Sequence, residues 1–191
     1  VDVARFGDDR TVIWARRGRD AKSMPPIVMQ GADTMAVAAR VMAEIDRLRP
    51  DAVFVDEGGV GGGVVDRCRQ MGYSVVGVNF GAKADRIIEG VPKCANKRAQ
   101  MWATMREWLR SGGAIPDDPQ LEMDLTGPLY SFDPNNAILL EKKADMKKRG
   151  VPSPDQADAL AITFAYPVTP RSMQRMIEER EVADYDPIWS R

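Results

Sequence analysis

The sequence predicts an α/β domain, a mixed central sheet flanked by helices, from three observations. Short apolar segments near the start alternate as strands do, the stretch from 34 to 48 switches to helical spacing, and meandering strands come before crossover helices. The chain has 191 residues, 44% of them hydrophobic, with 27 Lys+Arg against 28 Asp+Glu, the size and balance of one domain able to bury a core.

In chain order, residues 1 to 5 and 11 to 17 read as two strands around the turn FGDDR, whose Gly7 and paired aspartates supply hairpin chemistry. A third strand, Ile27 to Gln30, follows the Pro25-Pro26 break. From Thr34, Val37, Ala38, Val41, Ile45 and Leu48 share one helical face, and Pro50 ends it. Ala52 to Asp56 is apolar on both faces, as a strand inside a largely parallel sheet is. A glycine-rich turn, a short helix near Val64 to Met71 and a strand at Val75 to Val78 complete the order β-β-β-α-β-α-β.

Asn96 is placed to cap a helix carrying Met101, Trp102, Met105 and Leu109 inward, stopped by Gly112-Gly113. Asp117 to Leu125 reads as helix. Leu129 to Phe132 and Ile138 to Leu140 read as a hairpin, and Pro154 to Tyr166 as a last helix. Residues 1–168 therefore form one predicted domain. The charged tail 169–191, with Pro187 and weak periodicity only at Met173, Met176 and Ile177, is expected to be a docking helix or a disordered segment.

Composition removes several function classes. No run of about eighteen apolar residues occurs, which predicts no membrane span and a soluble, intracellular protein. Cys68 and Cys94 are too few and too far apart for a disulfide framework or a zinc knuckle. The absence of histidine excludes Ser-His, Cys-His and His-metal mechanisms, leaving carboxylates for acid-base or metal chemistry.

Asp2, Asp56 and Asp158 each interrupt an apolar element expected to be buried. A buried carboxylate must be neutralised, hydrogen-bonded or bound to a cation, and three converging with no histidine nearby suit a hard divalent metal. Asp56 also ends a strand, where open sheets keep their ligand crevices. The glycine run 58 to 63 resembles a phosphate cradle only weakly, because Asp56-Glu57 precede it and would repel a pyrophosphate; no GxxxxGK[ST] loop is present.

Two basic stretches stand near these acids. Lys142, Lys143, Lys147, Lys148 and Arg149 place five cations in eight residues, and Lys83, Arg86, Lys93, Lys97 and Arg98 form a looser group. Neither is interleaved with aromatics, so duplex backbone contact is expected over base stacking. A solvated helix face is the more ordinary explanation of the run 142 to 149.

The segments VDVARFGDDRTVI, VFVDEGGVGGGVVDRCRQMGYSVVGVNFGAKA, NKRAQMWATMREWLRSGGAI and KKADMKKRGVPSPDQADALAITFA together resemble the C-terminal nuclease domain of the large terminase subunit of tailed double-stranded-DNA bacteriophages, over residues 1 to about 166. The resemblance implies an RNase H-like fold and metal-dependent, largely sequence-tolerant cleavage of concatemeric double-stranded DNA. It implies two Mg²⁺ or Mn²⁺ ions, with Asp56 bridging them and Asp2 and Asp158 each holding one, and Asp155 or Glu57 as supplementary acid. Partners implied are an N-terminal ATPase motor in the full subunit, the portal protein and the small terminase subunit, with no membrane. The implied location is the host bacterial cytoplasm and, transiently, the procapsid portal. A first strand beginning at residue 1 without Met is expected of a fragment of a longer protein.

Ser153, Pro154 and Gln156 read as a capping box that gives Asp155 a dipole role facing solvent, so Asp158 is expected to be the metal ligand of the last helix. Two alternatives stay open: another RNase H-like nuclease such as a junction resolvase or a transposase-type enzyme, and a non-catalytic module that binds DNA or the portal.

Overall fold

Three short ladders organise the backbone of the computed structural model, which describes residues 1–4, 9–171 and 173. β1 (Thr11–Ile13) pairs antiparallel with β2 (Ile27–Met29), β3 (Phe54–Asp56) pairs parallel with β4 (Val76–Val78), and β5 (Tyr130–Phe132) pairs antiparallel with β6 (Ile138–Leu140). The first two are joined by the chain's opening residues. Asp2 and Val12 exchange both backbone hydrogen bonds at 3.0 and 2.9 Å, the antiparallel pattern. On its other side Val1 donates to the Phe54 carbonyl at 2.7 Å and accepts from Asp56 N–H at 2.9 Å, the staggered parallel pattern. The rungs therefore run β2, β1, Val1-Asp2, β3, β4, a mixed sheet as the sequence predicts. The strands are shorter than expected, with β1 ending at Ile13, and most of the FGDDR turn lies outside the described residues.

Period-two alternation divides the core between the two faces of this sheet. Val1, Val55 and half-buried Ile13 face α1 (Thr34–Leu48) and α2 (Gly61–Gln70), packing with Val37, Val41, Val64 and Cys68. Asp33 caps α1 by accepting from Ala36 N–H, and Arg49 ends it in the left-handed region at φ 47°, just before Pro50.

Val12, Phe54 and Val78 face the other way, onto α3 (Lys97–Arg110), α4 (Pro119–Thr126), α6 (Asp155–Ala161) and the 3-10 turn Ile162–Phe164. Asn96 caps α3 as the sequence predicts, accepting from Ala99 N–H at 2.9 Å. All seven residues of α6 are buried, and its alanines let neighbouring elements close around it. One helix is not predicted by the sequence pattern: α5 (Lys143–Lys148), a short turn of the basic run anchored by buried Met146.

The last helix also starts differently from expectation. Pro154 occupies the cap position without a side-chain hydrogen bond, and the buried Ser153 hydroxyl has no partner among the described residues, so the capping box does not form. Asp155 is the first helical residue and is buried, because α6 is enclosed on every side instead of lying with one face in water. The expectation for the tail falls almost wholly on residues outside those described. Among the described residues no helix is long and apolar enough to cross a membrane, and both thiols are free and buried.

Candidate active site

The same alternation that sorts the core also places the acids. Asp2 lies across from Val12, and Asp56 two residues after Phe54, so both carboxylates emerge on the face covered by α6. Asp155 and Asp158, three residues apart on α6, meet them there. Asp2, Asp155 and Asp158 are 2%, 2% and 0% exposed, a burial that no unpaired carboxylate tolerates.

Their common partner is Lys143, at the start of α5. Its ammonium lies 2.9 Å from Asp2 Oδ2, 3.3 Å from Asp158 Oδ2 and 3.5 Å from Asp155 Oδ1. Asp158 is held more firmly than the rest: Arg98 donates from Nε and Nη2 at 2.9 and 3.1 Å, and Trp102 donates from Nε1 at 2.8 Å. Arg98 and Trp102 are four residues apart on α3, hence on one face. Asp155 Oδ2 accepts from Arg10 N–H at 2.8 Å, and Asp56 Oδ1 from Gly58 N–H at 3.0 Å.

Charge in this centre does not balance. Four carboxylates face two side-chain cations, Lys143 and Arg98, and burial lowers the neighbouring Val1 ammonium to about 6, so above that pH full ionisation of the acids leaves two negative charges uncompensated. The acids respond accordingly. Burial pushes Asp56 up to about 6, helped by Asp2 and Asp158 and opposed by Gly58 N–H and Lys143. Burial likewise raises Asp2 and Asp155 against the pull of Lys143. For Asp158 burial acts in the same direction, but Arg98 and then Lys143 outweigh it and hold the carboxyl below its usual range. Burial would lower Lys143; Asp2, Asp158 and Asp155 outweigh it, keeping the ammonium charged well above neutral pH.

Whether these residues fit a divalent cation turns on that ammonium. The donors are hard carboxylate oxygens, the residual charge equals that of one divalent ion, and a cation already stands where three of the acids converge. Among the described residues no group of three acids is placed to hold a metal ion as it stands, the point where three converge being filled by the ammonium. The fit therefore requires Lys143 to withdraw.

The glycine run has a steric reason. A Cβ at Gly61 would fall 1.7 Å from the Asp56 carbonyl oxygen and one at Gly58 3.1 Å from Asp56 Oδ1, while Gly59 sits at φ 57°. The turn after β3 thus presses the start of α2 against Asp56, and the weak phosphate-cradle reading is not needed to explain these glycines.

Other predicted positions stand elsewhere. Glu57 alternates away from the acids and is exposed, its carboxylate lying over Gly77 of β4, where any Cβ would collide with it. Arg98, expected to face DNA, is 9% exposed and bound to Asp158 and to the Glu141 carbonyl. The run 142 to 149 does not present one basic face. Lys143 turns into the acids, Lys147 pairs with Asp9 at 2.8 Å, Lys148 with Asp145 at 2.8 Å, and Arg149 with Glu141 at 2.6 Å. Lys142 and Lys83 are exposed. The sequence predicts only a core role for Trp102, although its spacing of four from Arg98 already puts the two on one helix face.

No family model and no curated protein matches the chain. Solved structures do. The nuclease domain of the large terminase subunit gp2 of bacterial virus Sf6 aligns with a TM-score of 0.70 at 21% identity, covering 87% of this chain and 86% of that one. A mutant gp2c of the same subunit from bacteriophage Sf6 with calcium gives the same values, and a mutant of the nuclease domain with manganese gives 0.63 at 21%, covering 80% and 81%. Across 87% of its length, this α/β chain has the fold of the nuclease domain of a phage large terminase subunit.

Proposed function

We propose that the chain is an RNase H-like, divalent-metal-dependent endonuclease domain that cuts concatemeric double-stranded DNA during phage genome packaging. The observation that carries this reading is the buried convergence of Asp2, Asp155 and Asp158 on one ammonium beside Asp56, with two negative charges in excess. The rung order, with the Val1-Asp2 segment central and antiparallel only to β1, supports the RNase H-like assignment. Calcium and manganese in the Sf6 structures belong to the ion class such oxygens favour.

Asp2 and Asp56 would hold Mg²⁺ or Mn²⁺, with Asp155 or Asp158 from α6. Two such ions, when bound, supply an activated water and a stabilised leaving 3′ oxygen. The rest falls to the chain. Arg98 and Trp102 fix the Asp158 carboxylate and Gly58 N–H orients Asp56, while Lys143, seated on Asp2, Asp155 and Asp158, would have to give up that place to an ion. An ATPase motor on the same subunit, the portal protein and the small terminase subunit would be its partners, in the host cytoplasm and at the procapsid portal.

Incubation of the purified chain with supercoiled plasmid and Mn²⁺ or Mg²⁺ tests this. Nicking and linearisation that stop with EDTA, and that Asp56→Ala abolishes, are expected. Selective cutting of four-way junctions would instead mark a resolvase, and no cutting with either ion a binding module. Lys143→Ala should bind Mn²⁺ more tightly than wild type by calorimetry, since no ammonium then competes; weaker binding would mean that Lys143 assists the ion.

A further inference from the structure

Away from the acids, the loop from 83 to 95 and the tip of the β5–β6 hairpin enclose a crevice of about 460 Å³. Its frame is fixed. Buried Gln100 accepts from Asp85 N–H at 2.8 Å and Arg86 N–H at 3.3 Å, and buried Lys97 donates to both Asp85 oxygens at 2.8 and 2.7 Å. Arg86 Nη2 reaches the Phe164 and Ala165 carbonyls at 2.7 and 3.0 Å. Ile138 N–H bonds Lys93 O at 2.7 Å and Ala95 N–H bonds Ile138 O at 2.8 Å, tying the loop to β6.

Three charged side chains of this loop have no ionic partner among the described residues, Lys83, Lys93 and, outside the crevice lining, the exposed Glu89, so the free charges that line the crevice itself are positive. Lys83 and Lys93 are exposed, and neither ammonium has an acidic partner among the described residues. The acids that line the crevice are committed: Asp85 to Lys97 and Gln100, Asp133 to the N–H groups of Asn135 and Ala137. Between the lysines stands Ile87, 94% exposed, an apolar surface with nothing over it. Lys83 pairs through its backbone with Asn96, the cap of α3, two residues before the Arg98 that holds Asp158.

We propose that this crevice grips the sugar-phosphate backbone of duplex DNA flanking the cut, with Lys83 and Lys93 on phosphates and Ile87 against deoxyribose. The proposal rests on the nuclease reading and adds a second contact to it. Alternating anionic and apolar surface is what a nucleic-acid backbone offers. Two exposed lysines on flexible stems suit counterion release along a polyanion, whereas a small anion is captured by buried, convergent donors that are not found here.

Fluorescence anisotropy of a labelled duplex, measured in EDTA across a salt series, tests it without cleavage. Lys83→Ala/Lys93→Ala should make the log-log salt slope shallower by roughly two, at about 0.9 per phosphate contact. Ile87→Ser should weaken binding without changing the slope. Unaltered circular dichroism melts confirm that the variants fold. An unchanged slope in the double variant, or no binding by wild type at low salt, would overturn the crevice, as would displacement of duplex by equimolar inorganic triphosphate, the mark of a small-anion pocket. Plasmid cleavage is scored separately: binding with the expected slope loss but no cutting leaves the crevice standing and removes the nuclease, and cutting with an unchanged slope does the reverse.

Discussion

Replacing Asp56 by asparagine should stabilise the metal-free protein at neutral pH. The carboxyl is pushed from 3.8 to about 6 in the folded state, which disfavours its anion by roughly 3 kcal/mol once pH exceeds both values. Asparagine keeps an oxygen for Gly58 N–H but still has an amide to desolvate, so a net gain of about 1–2 kcal/mol is expected. For a chain of this size that is a rise in Tm of roughly 3–6 °C. The sign fixes the pH course. Because the folded state holds its proton more tightly than the unfolded one, wild type loses stability as pH rises from about 4 to about 6, while the variant does not titrate there. Melting curves in EDTA at pH 4, 5, 6 and 7.5 should therefore show a gap that opens with pH and closes below 4. Added Mn²⁺ should raise wild type more than the variant, narrowing or reversing the gap by mass action. A variant no more stable than wild type at pH 7.5, or a gap that does not change with pH, would refute the reasoning.

Arg98→Ala removes both guanidinium bonds from a carboxylate with no solvent exposure and should cost about 3–5 kcal/mol in urea unfolding. Combined with Asp158→Asn the loss should be smaller than the two single losses added, by about 1–3 kcal/mol; strict additivity would show the pair uncoupled. Replacing Lys147, Lys148 and Arg149 together by alanine should shift the salt slope of duplex binding by less than about one, not the two to three that three free cations would give, because each already faces a carboxylate at 2.6–2.8 Å. A shift near three would mean that DNA strips those pairs.

Local pattern predicted the parts of the fold that local energetics decide. Asn96 and the helix it caps, the hairpin around Asp133, and the switch from period two to helical period at Thr34 stand as the sequence implies. Alternation even fixes the shared face of Asp2 and Asp56, since one is read from Val1 and the other from Phe54 and Val55. What local pattern misses is enclosure. Asp155 reads as a solvent-facing dipole partner because a helical wheel assumes one wet face, and α6 has none. Arg98 reads as part of a basic stretch because its partner lies 60 residues further along the chain. Lys143 reads the same way; only the docking of α5 separates it from Lys142, exposed one residue before.

At the start of α3 three successive residues tie down two segments: Asn96 by its backbone to Lys83 and Lys97 by its ammonium to Asp85, both in the loop from 83 to 95, and Arg98 to Asp158 of α6. At about 100° per residue the Lys97 and Arg98 side chains leave the helix in different directions, so a roll that shifts one of these two contacts shifts the other. Anything seated against the loop and anything seated among the acids act on the same hub. If the two occupants couple through it, they do so reciprocally: whatever factor a bound duplex lends to ion affinity, a bound ion returns to the duplex.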